Sequence, residues 1–130
     1  MARLIFDTSV LVAGERAAKR PAELVGSRDD VAIAAITVAE MLLGVELAEG
    51  RYRRARQTWV EAVLSTFFVE DYGVDVARVH ATLLAHVRRS GRPRGAHDLI
   101  VAATSIATDR MVVTFDRVDF TDLPGVNVLS

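Results

Sequence analysis

The chain has 130 residues, no cysteine, 51% hydrophobic residues and a formal net charge of −1, which together predict one domain spanning 1–130 and exclude disulfides and thiolate metal sites. Its apolar runs are too short to span a bilayer, and Asp7 interrupts the N-terminal one too early for a signal peptide, so a cytoplasmic protein with no membrane partner is expected. Near-neutral charge neither favours nor excludes a nucleic-acid partner, whereas a mean hydropathy of +0.24 predicts apolar surface that meets another molecule.

Leu4-Ile5-Phe6 reads as a strand buried on both faces, and it ends at Asp7. Pro21 with Glu23 suits a first helical turn. Val31 to Ala35 is a second apolar run, and Thr37-Val38-Ala39-Glu40 after it has the spacing of a capping box opening a helix through about Leu47. Gly50 separates that helix from an amphipathic one over Tyr52 to Phe67, whose apolar face includes Trp59 and whose other face carries Arg51, Arg53, Arg54 and Arg56. Phe67 to Val69 is a third run. Asp75 has the position of a cap for a helix reaching Val87, and "SGRPRG" at 90–95 is a Gly/Pro loop. Asp98 opens an uncharged stretch that predicts a helix buried nearly all round. Met111 to Phe115 and, beyond the "LPG" turn, Val126 to Leu129 complete the strands. Strands alternating with helices predict the α/β class, a central parallel sheet flanked by helices on both faces.

In such a sheet, ligands collect beyond the carboxyl ends of the strands. That rim selects Asp7, Glu40, Asp98 and Asp116. Each also fits a structural role: Asp7 as a helix cap, Glu40 as the capping-box glutamate, Asp98 as an answer to a helix dipole, Asp116 as a turn former. Two carboxylates about 5 Å apart repel by roughly 3 kcal/mol at an effective dielectric near 20, so four on one rim call for a cation. Oxygen ligands without Cys or a spaced His pair select Mg²⁺ or Mn²⁺ over Zn²⁺. Thr8, Ser9, Thr37 and Thr114 adjoin the acids and are candidates to hydrogen-bond them. His97, beside Asp98, is a candidate proton donor. Arg88, Arg89, Arg92 and Arg94 precede Asp98 and are read either as phosphate contacts or as a solvated helix end.

"LIFDTSVL", "ITVAEMLLGV", "GAHDLIVAATSIA" and "VVTFDRVDFTDLPGVNV" together resemble the PIN-domain proteins, most closely the VapC-type toxins of bacterial toxin–antitoxin modules. The resemblance spans nearly the whole chain and implies a Mg²⁺- or Mn²⁺-dependent endoribonuclease, a homodimer, restrained by a cognate VapB-type antitoxin. By position, Asp7, Glu40, Asp98 and Asp116 match the family's acidic quartet, Thr114 the threonine of its last motif and Ser9 its first hydroxyl. Asp119 competes with Asp116 as the fourth acid. The antitoxin groove that the resemblance implies involves Leu11, Val12, Met41, Leu42, Val45 and Trp59, positions that also suit a core.

Two other readings use an acidic Mg²⁺ site. A phosphoaspartyl phosphatase would use Asp7 as nucleophile, but carries a second aspartate where this chain has Ser9. A receiver-like signalling domain places a lysine after its last motif strand, and Lys19 is the only lysine here.

Overall fold

The computed structural model describes residues 2–26 and 29–129. Four strands, β1 (Arg3–Phe6), β2 (Asp30–Ala34), β3 (Phe68–Glu70) and β4 (Met111–Val113), pair in the order β3-β2-β1-β4, every pair parallel. Parallel neighbours need crossover connections. Helix α1 (Thr8–Arg16) lies between β1 and β2, α2 (Ala35–Leu47) and α3 (Gly50–Thr66) between β2 and β3, and α4 (Val74–Ser90) and α5 (Ala96–Ala107) between β3 and β4.

Alternation along the strands sorts the core into two layers. Leu4, Phe6, Val31 and Ile33 pack with Leu11 of α1, Met41 and Val45 of α2, and Val63 of α3. Ile5, Ala34 and Val112 pack instead with Val76 and Leu83 of α4 and with Leu99 and Ala102 of α5. The sheet is thus covered on both faces, as the sequence predicts. Helix α5 is the most enclosed: Leu99 and the run from Val101 to Ser105 are buried, and the Thr104 hydroxyl is satisfied by the Ile100 carbonyl at 2.7 Å.

Packing outweighs capping in this chain. Among the described residues no side chain caps any of the five helices. A cap contributes about 1 kcal/mol, whereas burying one Leu or Val contributes about 1.5–3 kcal/mol, so docking sets where the helices begin. The expected capping box does not form, because β2 runs straight into α2 and the cap position falls on Ala34, three residues before Thr37. Thr37 is buried, and among the described residues its hydroxyl has no hydrogen-bond partner. Asp75 likewise lies inside the first turn of α4, after Gly73, and bonds the Val76 N–H at 2.9 Å. At the other end, α4 continues to Ser90 and stops at Gly91, whose φ of 67° closes the helix in a left-handed cap. The expected last strand reduces to one bridge between Val112 and Val128, since β4 leaves the sheet after Val113 and offers only a short edge. Among the described residues no helix is long and apolar enough to cross a membrane.

Arg110 ties the sheet together. Its side chain is 4% exposed and donates from one terminal nitrogen to the Leu4 carbonyl at 3.1 Å and to the Asp30 carbonyl and carboxylate at 3.0 Å each, while Nε lies 3.4 Å from Glu70. It therefore touches β1, β2 and β3 from the head of β4. Asp30 also pairs with Arg3 at 2.7 Å. Removing one member of a buried ion pair costs about 3–5 kcal/mol. Asp30 keeps Arg3 and is about one-third exposed, so Arg110→Met is expected to cost roughly 2–3 kcal/mol, read as a lower urea midpoint at an unchanged slope.

Candidate active site

The strand order departs in opposite directions from β1, to β2 on one side and β4 on the other, and the crevice between the ends of β1 and β4 is where an open parallel sheet binds ligands. Asp7 sits there. It occupies the cap position of α1, yet its side chain makes no cap bond. Its Oδ2 instead accepts from Ser9 Oγ at 3.0 Å and Thr114 Oγ1 at 2.9 Å. Each hydroxyl also accepts a backbone N–H from the chain leaving β4, Phe115 onto Ser9 at 3.1 Å and Asp116 onto Thr114 at 2.9 Å. Two short relays thus fix a carboxylate that is only 5% exposed. Among the described residues no side chain donates to its Oδ1.

A cavity of about 440 Å³ opens above it, lined by Asp7, Glu40, Asp98 and Asp116 together with Ser9 and Arg16. Helix α2 delivers Glu40, whose Oε1 accepts from Thr8 Oγ1 at 2.9 Å and whose Oε2 lies 3.4 Å from His97 Nδ1. Helix α5 delivers Asp98 from its first turn, and a Cβ on Gly95 would approach the Asp98 Oδ2 to 2.7 Å. Asp116 arrives on the segment leaving β4. The four acids selected from the sequence therefore share one cavity.

Their mutual repulsion is visible at Asp98, whose carboxyl is pushed up from 3.8 to about 6 by burial and then by Asp119, Asp7, Glu40 and Asp116. Asp116 lines the cavity, while Asp119 bears more strongly on Asp98. Among the described residues no three His, Asp or Glu side chains are gathered tightly enough to clasp an ion as they stand. The set nevertheless fits a hard divalent cation: every donor is a carboxylate oxygen, and like charges close enough to perturb Asp98 are relieved by positive charge between them.

Arg16 was not evident from the sequence. It stands in the last turn of α1 and lines the cavity along the stripe Ser9, Val12, Ala13, Arg16, a helical spacing that could have revealed it. The four arginines read as phosphate contacts are placed differently: none lines the acidic cavity. Arg88 and Arg89 flank a shallow recess with Leu84 on α4. Arg92 pairs with Asp122 at 2.6 Å, and Arg94 donates to the Thr121 carbonyl at 2.9 Å.

The six groove candidates divide. Val12, Met41 and Trp59 line a groove between α1, α2 and α3 that meets the acidic cavity at Thr8, Val12 and Glu40. Leu11 and Val45 are core residues, 0% and 2% exposed, because they face the sheet. Leu42 is exposed but outside the groove. Arg56 and Glu15, neither of them among the six groove candidates, complete its walls.

Residues 4–126 match the PIN domain family. The chain is 30% identical to a protein named Ribonuclease VapC from Rickettsia bellii, over 98% of this chain and 95% of that one. Among solved structures it resembles one chain of VapBC-5, a member of the VapBC family of toxin–antitoxin systems from Mycobacterium tuberculosis, with a TM-score of 0.78, 27% identity and coverage of 99% and 98%. The VapBC2 structure from Rickettsia felis, bound to a promoter DNA fragment, shares the fold with a TM-score of 0.87 at 21% identity, over 98% of this chain and 97% of that one.

The raised Asp98 has a thermodynamic consequence. Its carboxyl titrates near 3.8 when free and near 6 in the fold, so between those values the folded state binds more protons, and the metal-free protein loses stability as pH rises through that window. In EDTA, Asp98→Asn is expected to raise the melting temperature at about pH 7 and to gain less at about pH 5, where the wild-type carboxyl is already mostly protonated. A lower melting temperature for Asp98→Asn at both values would make Asp98 a structural residue.

Proposed function

This chain belongs to the PIN domain family, and we propose that it is a cytoplasmic, metal-dependent endoribonuclease of VapC type, acting as the toxin of a toxin–antitoxin module. One observation carries the reading: a cavity at the β1/β4 crevice lined by four carboxylates, one of them pushed up to about 6 by burial and by its acidic neighbours. The name of the Rickettsia bellii relative supplies the reaction class. Neither the receiver nor the phosphoaspartyl alternative is favoured.

Mg²⁺ or Mn²⁺ would be held by Asp7, Glu40, Asp98 and Asp116, and when bound supplies an activated water and positive charge for the phosphoryl group. The chain's own residues prepare that site. Ser9 and Thr114 orient Asp7 so that its Oδ1 remains available, and Thr8 and His97 bracket Glu40. Arg16 is the cation lining the cavity, and its fork suits a non-bridging phosphate oxygen. The new bond joins the water oxygen to phosphorus as the bond from phosphorus to the 3′ oxygen breaks, leaving a 5′-phosphate and a 3′-hydroxyl that has gained a proton. Asp98, pushed up to about 6 by burial and the neighbouring acids, accepts a proton as pH falls through that value when the site holds no cation. His97 reaches Glu40, and its reading as the proton donor gives way to one as a positioning residue.

A partner antitoxin, as in the VapBC-5 complex, would lay an apolar segment along Val12, Met41 and Trp59, and the groove's continuity with the cavity carries that segment to the acids. The active protein is a homodimer in this reading.

RNA cleavage tests the proposal. Activity is expected with Mg²⁺ or Mn²⁺, none with EDTA, and a loss of about 10²–10³-fold in kcat for Asp7→Asn or Asp98→Asn. Undiminished cleavage by both variants would sink the mechanism. Ser9→Ala is expected to lose about tenfold through misplacement of Asp7. Parallel Asp116→Asn and Asp119→Asn assays identify the fourth acid, with the larger loss expected at Asp116.

A further inference from the structure

A second cavity, of about 320 Å³, lies between the end of α4, the loop at 92–94 and the turn at 121–123. It shares no lining residue with the acidic cavity. Its volume falls at the small end of the roughly 300–1,000 Å³ range of ligand pockets. His86, Arg92 and Arg94 give it polar, cationic walls, and Val87 and Leu123 give it apolar ones.

These side chains are held in place. Asp122 adopts a left-handed φ of 61°, accepts Arg92 on its carboxylate at 2.6 Å, and meets His86 Nε2 through its carbonyl at 3.0 Å. Arg94 is anchored on the neighbouring Thr121 carbonyl at 2.9 Å through one terminal nitrogen. Two arginines against one aspartate leave the cavity net positive.

We infer that this cavity seats one unpaired nucleotide of an RNA strand, its phosphate on Arg92 and Arg94 and its base against Val87, Leu123 and the His86 ring. The inference rests on the ribonuclease reading above and adds to it a second seat for the strand, outside the acidic cavity. Guanidinium forks match phosphate oxygens, and single-stranded RNA is recognised by bases splayed onto flat and apolar side chains. Chain connectivity fixes the relation to the acids. Arg94 precedes Asp98 by four residues and Asp122 follows Asp119 by three, so both walls of the cavity continue directly from segments that bring acids to the rim. Gly95, between Arg94 and α5, presents no side chain at that junction.

Wild-type protein in EDTA, titrated with nucleoside 5′-monophosphates, unphosphorylated nucleosides and inorganic phosphate, tests this by NMR of the His86 ring and the Arg94 side-chain N–H signals. Monophosphates are expected to shift both residues and inorganic phosphate only Arg94. Arg94→Gln should weaken monophosphate binding by about tenfold or more, and Arg88→Gln, on its separate recess, should not. Arg92→Gln, at a side chain that is 64% exposed, replaces Arg94→Gln if that variant fails to fold. Absence of shifts at His86, or equal binding by Arg94→Gln or its replacement, overturns the inference. Equal response to phosphate and monophosphates overturns the nucleotide in favour of a bare anion site. RNA kinetics separate the two levels: an unchanged KM in the arginine variants with cleavage still abolished by Asp98→Asn refutes only the subsite, whereas a wild type that cleaves no RNA removes the ribonuclease reading and the RNA strand with it.

Discussion

A carboxylate buried at the mouth of a parallel sheet must be held, and the way Asp7 is held organises everything above the strands. An ionised group out of water is costly unless hydrogen bonds replace its hydration. Here the replacements come from the first turn of α1 and from the end of β4. Ser9 and Thr114 also accept the N–H groups of Phe115 and Asp116, so the atoms that steady Asp7 also set the path of the chain leaving β4. The placement of Asp116 follows from the burial of Asp7. A rim built this way needs no separate scaffold for its fourth acid.

The two ends of the sheet divide the charge between them. Arg110 and Arg3 close on Asp30 at the ends where β1, β2 and β4 begin, and opposite signs there neutralise one another. At the far end like signs are gathered, and burial together with that repulsion raises the proton affinity of Asp98. Elements that tolerate such repulsion are those docked by packing, and α5, enclosed on almost every face, is the one that bears Asp98.

Much of this was legible in the sequence because a parallel sheet puts its strand ends on one rim. Apolar runs located the strands, and the acids after a strand or at the start of a helix include four that line one cavity. Helix starts were less legible. The spacing from Thr37 to Glu40 satisfies a capping box, but β2 passes into α2 without a loop, and Glu40 turns to Thr8 instead. Helical phase was also hidden: Leu11 and Val12 are neighbours in sequence, about 100° apart on the helix, and only Val12 reaches the groove. Arg92 and Arg94 stand away from the acidic cavity because their partners, Asp122 and Thr121, lie about thirty residues further on in a turn whose course no local pattern announces.

Gly95 turns a question of charge into one of space. With a carboxylate oxygen 2.7 Å from where its Cβ would stand, even an uncharged methyl group at this position would displace Asp98 while leaving the helix and its packing intact. Substitution there would change the electrostatics of the rim with no change in the number of charges. The sensitivity of the site to mutation therefore extends to a residue with no side chain, one that a survey confined to polar groups would pass over.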